Sequence, residues 1–176
     1  MSDEFTRPDA ITYDDVAHVR SARIHRLCDY WRSKHVGGRL PRRADILPEE
    51  IPTLLPYVLM VDLETEPFRV FYRLIGTRVA TYNKRDFTGQ YLDELDFPST
   101  SRIIELYHAV MTERRPRFGA ANLRSRSAAW VAFEYAVLPL SDDGVTVNKC
   151  LAMECYGDID PEEIVEGIKL HKTSPD

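Results

Sequence analysis

The sequence predicts a single α+β domain built on one antiparallel sheet. With 176 residues the chain is long enough for one domain with its own core. Its strand patterns are separated by tight turns, and its helix patterns are grouped instead of alternating with strands, an order typical of α+β folds. Its 44% hydrophobic and 29% charged residues are the composition of an ordinary globular protein.

Charge and composition exclude several classes of function. A net charge of −5 argues against a nucleic-acid-binding protein, and no apolar run approaches the roughly 18 residues that a membrane span needs. The first residues are acidic and polar, unlike a signal peptide. Three cysteines without framework spacing (Cys28, Cys150 and Cys155) are typical of free thiols in a reducing compartment. We therefore expect a cytoplasmic protein with neither nucleic acid nor membrane as a partner.

The N-terminal third divides into a tail, a helix and a proline-rich stretch. Residues 1–13 have no periodic pattern and predict a loose tail. An apolar stripe within residues 14–36 predicts a helix that covers the sheet, and Gly37-Gly38 ends it. Prolines then punctuate the start of the core, which we place at residues 37–156. The candidate dimer interface on the helix is Val16, Val19, Leu27 and Trp31.

The core pattern changes from helix to strand and back. Apolar runs over residues 57–63 and 68–75 predict a hairpin, and a short helix is expected from Thr77 to Asn83. One-face spacing predicts the longest helix over residues 101–114. Three strands follow over residues 117–124, 128–140 and 145–156. Residues 157–176 are expected to hold a short helix and a tail, with Asp160 as the cap and Pro161 in the first turn.

The last hairpin gives a preferred register and a candidate pocket. A three-residue loop, residues 142–144, keeps apolar and polar faces separate, whereas a two- or four-residue loop mixes them. It pairs Tyr135 with Leu151 and Phe133 with Met153, on a face that meets the long helix. A curved sheet with helices across it often encloses a small cavity. The candidate pocket residues are Tyr72, Leu74, Tyr107, His108, Met111, Phe133, Tyr135, Leu151 and Met153.

No catalytic or metal-binding set emerges from the sequence. In this register Glu134 and Glu154 lie diagonally on the opposite face, which predicts a salt-bridged or solvated rim and not an acid–base pair. No phosphate-binding or nucleophile motif occurs. His18, His25 and Cys28 share one helix, which cannot supply the four ligands of structural zinc. We therefore predict no enzyme activity and no metal.

Several fragments, in this order, resemble a bacterial family of stand-alone PAS domains, PAS_5. The resemblance spans about residues 27–156, and each fragment is short. The fragments are Tyr30-Trp31, 38–46, Leu55-Pro56, 71–77, 85–89 and 138–144.

The resemblance implies a PAS fold: a five-stranded antiparallel sheet with helices on its concave face, here with an N-terminal covering helix and a short C-terminal helix. It implies binding of small molecules or partner proteins, and a homodimer formed through the N-terminal helix. His108 is the one candidate haem ligand and lies late in the long helix, and the flavin-photosensor cysteine motif is absent. We therefore expect no cofactor, with haem and flavin disfavoured.

The leading hypothesis is a sensory or regulatory module that binds a small apolar or amphipathic ligand, an unknown partner protein, or both, and signals through protein–protein contacts. One alternative is an interaction-only dimeric adaptor with a solid core. A less favoured alternative is an isomerase-like enzyme on a cone-shaped α+β scaffold, which requires a buried Asp or Glu at an inward position. The predicted register places none there.

Overall fold

An antiparallel sheet organises the fold in this computed structural model, which describes residues 10–97, 99–127, 129–165 and 169–170. Its six strands lie in the order β1-β5-β6-β7-β2-β3. A separate two-stranded sheet joins β4 to β8. The strands are β1 (Ile11–Tyr13), β2 (Val58–Thr65), β3 (Phe68–Ile75), β4 (Leu95–Asp96), β5 (Arg117–Arg124), β6 (Trp130–Leu140), β7 (Lys149–Cys155) and β8 (Lys169–Leu170).

Three α-helices cover the sheet: α1 (Ala22–Ser33), α2 (Thr77–Tyr82) and α3 (Thr100–Glu113). Single 3-10 turns occur before α1, between the helices and after β7. Among the described residues, no helix combines the length and the apolar character that crossing a bilayer requires. The 3-10 turns are Val16–His18, Arg43–Asp45, Pro48–Glu50, Leu55–Tyr57, Leu92–Glu94 and Pro161–Glu163.

Each face of the sheet has its own core, because successive side chains of a strand point to opposite sides. We call the face under α1 the outer face and the face under α2 and α3 the inner face. The outer core contains Leu27, Trp31, Leu138, Leu151 and Met153. The inner core contains Val61, Tyr72, Tyr107, Tyr135, Val137, Cys150 and Ala152.

Helix α1 is fixed to the outer face at both of its ends. At its start, the carboxylate of Glu134 on β6 accepts hydrogen bonds from the backbone N–H groups of Arg20 (2.8 Å) and Ser21 (2.7 Å). Towards its end, the buried indole N–H of Trp31 donates to the carbonyl of Pro139 on the same strand (2.9 Å). These bonds satisfy polar groups that burial would otherwise penalise.

The structure confirms the α+β class and the antiparallel sheet, and α2 and α3 lie where helices were predicted. The helix predicted over residues 14–36 is shorter: α1 spans Ala22–Ser33, and Val16–His18 form a separate 3-10 turn. The structure also differs from the prediction at the two ends of the described chain. Ile11–Tyr13, in a stretch for which the sequence predicts no regular structure, pairs with β5 as an edge strand. Where a C-terminal helix was expected, the described residues form one 3-10 turn at Pro161–Glu163, a bridge from Ile164 to Ser125, and strand β8.

The predicted register of the last hairpin is wrong, and the error exchanges the faces of β7. Tyr135 pairs with Glu154, three residues beyond the predicted partner Leu151. An odd shift moves every side chain of one strand to the other side of the sheet. The connection spans residues 141–148 and not three residues, because the Asp143 carboxylate holds it open by accepting bonds from Ser141 Oγ (2.7 Å) and the backbone N–H of Thr146 (2.6 Å).

Candidate functional site

A polar cluster lies on the inner face where β7 ends against α2. The phenol of Tyr156 donates a hydrogen bond to the carboxylate of Glu154. The amide of Asn83 donates to the Tyr156 hydroxyl (3.1 Å) and to the Glu154 carboxylate (3.5 Å). Asn83 and Tyr156 are 7% and 1% exposed, while Glu154 remains partly accessible. A carboxylate is thus held inside the domain by two neutral donors.

The environment of Glu154 opposes its negative charge. Burial raises the pKa of its carboxyl group, and the hydrogen bonds from Tyr156 and Asn83 offset part of that rise. Its charge in turn contributes to raising the pKa of Tyr72 and of Tyr107, for which burial is the main cause.

Tyr72 on β3 and Tyr107 on α3 are two further tyrosines of the inner face. Each residue is 3% exposed. Neither hydroxyl has a hydrogen-bond partner among the described residues, although the ring of Tyr72 packs edge-on against Phe87 (4.7 Å). The described residues therefore leave the donor and acceptor capacity of these two hydroxyls unused.

The chain beyond β7 crosses this end of the inner face as a strap, residues 157–165. The Tyr82 hydroxyl donates to the Ile159 carbonyl, and Lys84 Nζ donates to the Pro161 carbonyl. Further along, the backbone N–H of Val165 donates to the carbonyl of Arg124 (3.0 Å). Under the strap the ring of Tyr156 stacks on those of Tyr82 (3.9 Å) and Phe133 (5.1 Å).

Five of the predicted pocket residues lie on or against the inner core. Tyr72, Tyr107 and Tyr135 are buried there, and Phe133 and Met111 pack against it. The Tyr135 hydroxyl is already used: it hydrogen-bonds Thr12 Oγ1 (3.1 Å) and so ties β1 to the sheet.

Four other pocket predictions are corrected by the structure. Leu151 and Met153 are fully buried on the outer face, because of the register shift. Leu74 is 44% exposed on β3, the edge strand of the sheet. His108 lies on the exposed side of α3, with its ring edge-on to Phe68 (5.0 Å).

The four residues predicted to form a dimer interface are buried within the chain itself. Val16, Val19, Leu27 and Trp31 are 8%, 3%, 0% and 5% exposed and belong to the outer core. A second copy could reach them only if α1 left the sheet. This segment therefore covers the sheet, as predicted. It does so with the residues that were predicted to form the dimer interface.

Sequence reasoning missed the site's polar members. It placed Glu154 on the face opposite the pocket, and from that it inferred that no inward position holds an acid; both statements are wrong. Asn83 and Tyr156 were not singled out. The available signal was the alternation Cys150, Ala152, Glu154, Tyr156, which continues the face of Val137 and Tyr135 once the hairpin loop is lengthened.

The described residues contain no group of three or more His, Cys, Asp and Glu side chains that could hold a metal ion. The cluster instead offers acceptors and donors of hydrogen bonds: one carboxylate, one amide and one phenol. This chemistry suits recognition of a polar group at the end of a small molecule.

The comparisons with known proteins identify the fold's family. The PAS-domain family matches residues 19–153 of the chain. No curated protein matches it. One similar solved structure, with 13% identity and a TM-score of 0.45 over 65% of this chain and 86% of the other, comes from work on a light-oxygen-voltage domain mechanism with a flavin analogue.

This likeness corrects one expectation. We expected no cofactor and considered flavin disfavoured, whereas the similar structure is of a domain described with a flavin analogue. The expectation is overturned by that finding. The family match confirms the resemblance read from the sequence fragments: the chain belongs to the PAS-domain family and is a sensory PAS module.

Proposed function

We propose that this PAS module binds a small amphipathic ligand on the inner face of its sheet and signals its presence through protein–protein contacts. The observation that carries the proposal is the pair Tyr72 and Tyr107, each 3% exposed, whose hydroxyls have no hydrogen-bond partner in the described chain. A ligand whose polar end pairs with both groups gains two hydrogen bonds, each worth about 0.5–1.5 kcal/mol.

The surroundings favour a ligand that is apolar apart from this end. The inner core beside the two phenols is aliphatic and aromatic, with Val61, Val137 and Ala152 on the sheet and Leu92 in the layer above it. Such a lining stabilises an apolar body, and a few polar groups then fix its orientation. The ligand lies between the sheet and α3, with its polar end towards Glu154.

Output passes to a partner protein or to a second copy of the chain, in the cytoplasm. The homodimer stays a prediction, and it uses a surface other than the four outer-core residues named for it. The strap and the edge strand β1 are the elements tied to the site, through Tyr82 and Tyr135 respectively. A ligand that moves Tyr82 or Tyr135 therefore moves the strap or β1, which lie outside the core.

Binding is favoured over catalysis for this cluster. The argument that inward positions hold no acid no longer stands, because Glu154 is one. Its contacts, however, are a phenol and an amide that donate to it, which stabilise a carboxylate and do not form an acid–base pair with it. The fold is one of sensory, generally non-enzymatic domains.

Native mass spectrometry of the purified full-length chain tests the proposal. The folded protein should carry an additional small mass that is lost on denaturation, and solvent extraction should release the molecule for identification. An absorption spectrum of the same sample shows whether that molecule is a flavin. The Tyr72→Phe/Tyr107→Phe double variant should lose most of the bound mass, while Tyr13→Phe, a change in the edge strand away from the cluster, should keep it.

A chain that carries no additional mass, and whose melting temperature responds to no member of a small-molecule library, would overturn the proposal. The interaction-only adaptor with a solid core then becomes the better description. Retention of the bound mass in the double variant would place the ligand elsewhere.

A further inference from the structure

We propose that the outer face carries a second binding site, a cleft beside the start of α1 that binds the phosphate monoester group of a small soluble molecule. The cleft has a volume of about 500 Å³. It lies on the opposite side of the sheet from the ligand proposed above, and its basis is the space and the charge of its walls. Those walls include Arg20, Arg23, Arg26, Glu134, Cys155 and Gly157.

The cleft is large enough for a small molecule. Arg20, Arg23 and Arg26 line it on the side of α1, and Cys155 at the end of β7 lines it on the side of the sheet. A Cβ added to Gly157 would meet no atom of another part of the chain within 4 Å, so the chain after β7 leaves room here. Ligand sites in proteins usually enclose about 300–1,000 Å³, and this cleft falls within that range.

Positive charge dominates the lining. Its three arginines are accompanied by one acid, Glu134, so three positive charges and one negative charge leave +2, in a chain whose net charge is −5. The thiol of Cys155 adds no negative charge, because burial raises its pKa. A phosphate monoester carries about −1.5 to −2 at neutral pH and therefore balances the lining, which a singly charged anion does only in part.

The one acid of the lining is already bound by the backbone. The Glu134 carboxylate accepts hydrogen bonds from the N–H groups of Arg20 (2.8 Å) and Ser21 (2.7 Å). These N–H groups at the start of α1 are therefore not what the cleft offers to a ligand. The three guanidinium groups are.

The guanidinium groups have N–H donors that no described residue uses. Within the described part of the chain, none of the three forms an ion pair with a carboxylate; Arg26 donates one N–H to Thr53 Oγ1 (3.4 Å), and the guanidinium of Arg23 lies over the ring of Tyr57 (4.6 Å). Each guanidinium has five donors in a planar fork that matches the oxygens of a phosphate. Because two of the three side chains are already restrained by these contacts, less side-chain ordering opposes binding.

Three probes of similar size and different charge test the inference: phenyl phosphate, benzenesulfonate and benzyl alcohol. Isothermal titration calorimetry on the full chain, in a buffer without phosphate or sulfate, gives the dissociation constant of each. Phenyl phosphate should bind at least about tenfold more tightly than benzenesulfonate, a difference of about 1.4 kcal/mol, because it carries the second negative charge. The Arg20→Gln/Arg26→Gln double variant should weaken phenyl phosphate by at least about tenfold and leave benzyl alcohol unchanged.

Arg32→Gln is the matched control, because Arg32 lies on the same helix, pairs with Asp29 (3.4 Å) and does not line the cleft; this variant should bind phenyl phosphate as the original chain does. Arg20 and Arg26 are both exposed, so their replacement should leave the fold intact, which circular dichroism verifies. Should the double variant fail to fold, Arg26→Gln alone should weaken phenyl phosphate by at least about threefold.

The site is overturned if phenyl phosphate binds no more tightly than benzenesulfonate, if the double variant keeps its affinity, or if Arg32→Gln loses as much. Cosedimentation with phosphatidylcholine vesicles, with and without phosphatidic acid, distinguishes a soluble ligand from a lipid headgroup. Binding to the phosphatidic-acid vesicles without binding of phenyl phosphate would assign the arginines to a membrane surface and overturn the soluble ligand. The inner-face ligand has its own test in the bound mass of the tyrosine variants, so either proposal can fail without the other.

Discussion

The two faces of the sheet each hold a glutamate, and the sheet uses the two acids differently. Glu134 faces outwards and is bound by two backbone N–H groups at the start of α1. Glu154 faces inwards and meets only the neutral donors of Tyr156 and Asn83 among the described residues. The outer face thus uses its acid to attach a helix, whereas the inner face holds an acid whose charge no described residue balances.

The two faces also differ in whether their indole and hydroxyl groups have hydrogen-bond partners. On the outer face the buried Trp31 N–H has a partner, the Pro139 carbonyl, at 2.9 Å. On the inner face, the hydroxyls of Tyr72 and Tyr107, residues that are each 3% exposed, have no such partner in the described chain. A face that satisfies its polar groups internally is built for stability, and a face that leaves them unpaired is suited to binding.

The largest effect on stability is expected from truncation of the outer core. Leu151→Ala should lower the free energy of unfolding by about 2–5 kcal/mol, because Leu151 is fully buried between the sheet and α1. Urea denaturation followed by circular dichroism measures the loss. Binding of an inner-face ligand to the folded variant should be unchanged.

Leu74→Ala is the control for this change, since Leu74 is 44% exposed and should alter stability by at most about 0.5 kcal/mol. Should Leu151→Ala weaken ligand binding while stability stays near that of the original chain, Leu151 would belong to the inner face and the register would be wrong.

The second-largest effect on stability is expected from weakening the attachment of α1 to the sheet. Glu134→Ala should lower the free energy of unfolding by about 1–2 kcal/mol, because two N–H donors at the helix start lose their charged acceptor. Hydrogen exchange should show faster exchange in α1 and not in α3. Glu134→Gln retains an acceptor oxygen and should lose about half as much; an equal loss in both helices would contradict the assigned role.

The structure also shows which parts of the fold could be predicted from the sequence. Helix α3 was predicted within one residue at each end, because its apolar residues recur with helical spacing and depend on no distant contact. The register of β6 and β7 was missed because Asp143 organises the connection through three hydrogen bonds, a geometry that no periodic pattern encodes. One wrong loop length then moved Leu151, Met153 and Glu154 to the wrong faces.

The C-terminal segment shows a second limit. Its helix-start signals are real: Asp160 accepts a bond from the backbone N–H of Glu162 (2.9 Å), with Pro161 at the first position. The turn ends after Glu163 because Ile164 bridges to Ser125 and the backbone of Val165 bonds to Arg124. Local signals therefore predicted where the turn starts, and pairing with the β5–β6 hairpin determined where it stops.

The third prediction concerns the pH dependence of stability. Burial raises the pKa of Glu154 in the folded state, so the folded chain holds this proton more tightly than the unfolded chain does. The contribution of this group to stability is therefore full below the pKa of the unfolded glutamate, about 4.3, and is lost as the pH rises through the folded pKa. Glu154→Gln should remove this part of the pH dependence and stabilise the ligand-free protein at neutral pH.

Denaturation curves between mildly acidic and neutral pH measure this difference. The pKa values of the neighbours Tyr72, Tyr107 and Tyr156 are all raised further above their ordinary alkaline range, so these phenols do not titrate in that interval. A variant with the same pH dependence as the original chain would show that folding does not raise the pKa of Glu154.

The smallest effects should come from two matched tyrosines of the inner face. Tyr135→Phe removes a hydroxyl that bonds Thr12, and should lower the free energy of unfolding by about 0.5–1.5 kcal/mol. Tyr72→Phe removes a hydroxyl without a partner in the described chain, and should leave the stability of the ligand-free protein nearly unchanged.

The variant that loses less stability, Tyr72→Phe, should lose more ligand affinity. Tyr72→Phe should weaken binding by up to about tenfold, which is the loss of one hydrogen bond, while Tyr135→Phe should leave it nearly unchanged. Denaturant titrations and calorimetry on both variants measure the two quantities separately. Equal losses of stability in the two variants would mean that Tyr72 finds a partner within the chain, and the difference between the faces would then reduce to the position of the two glutamates.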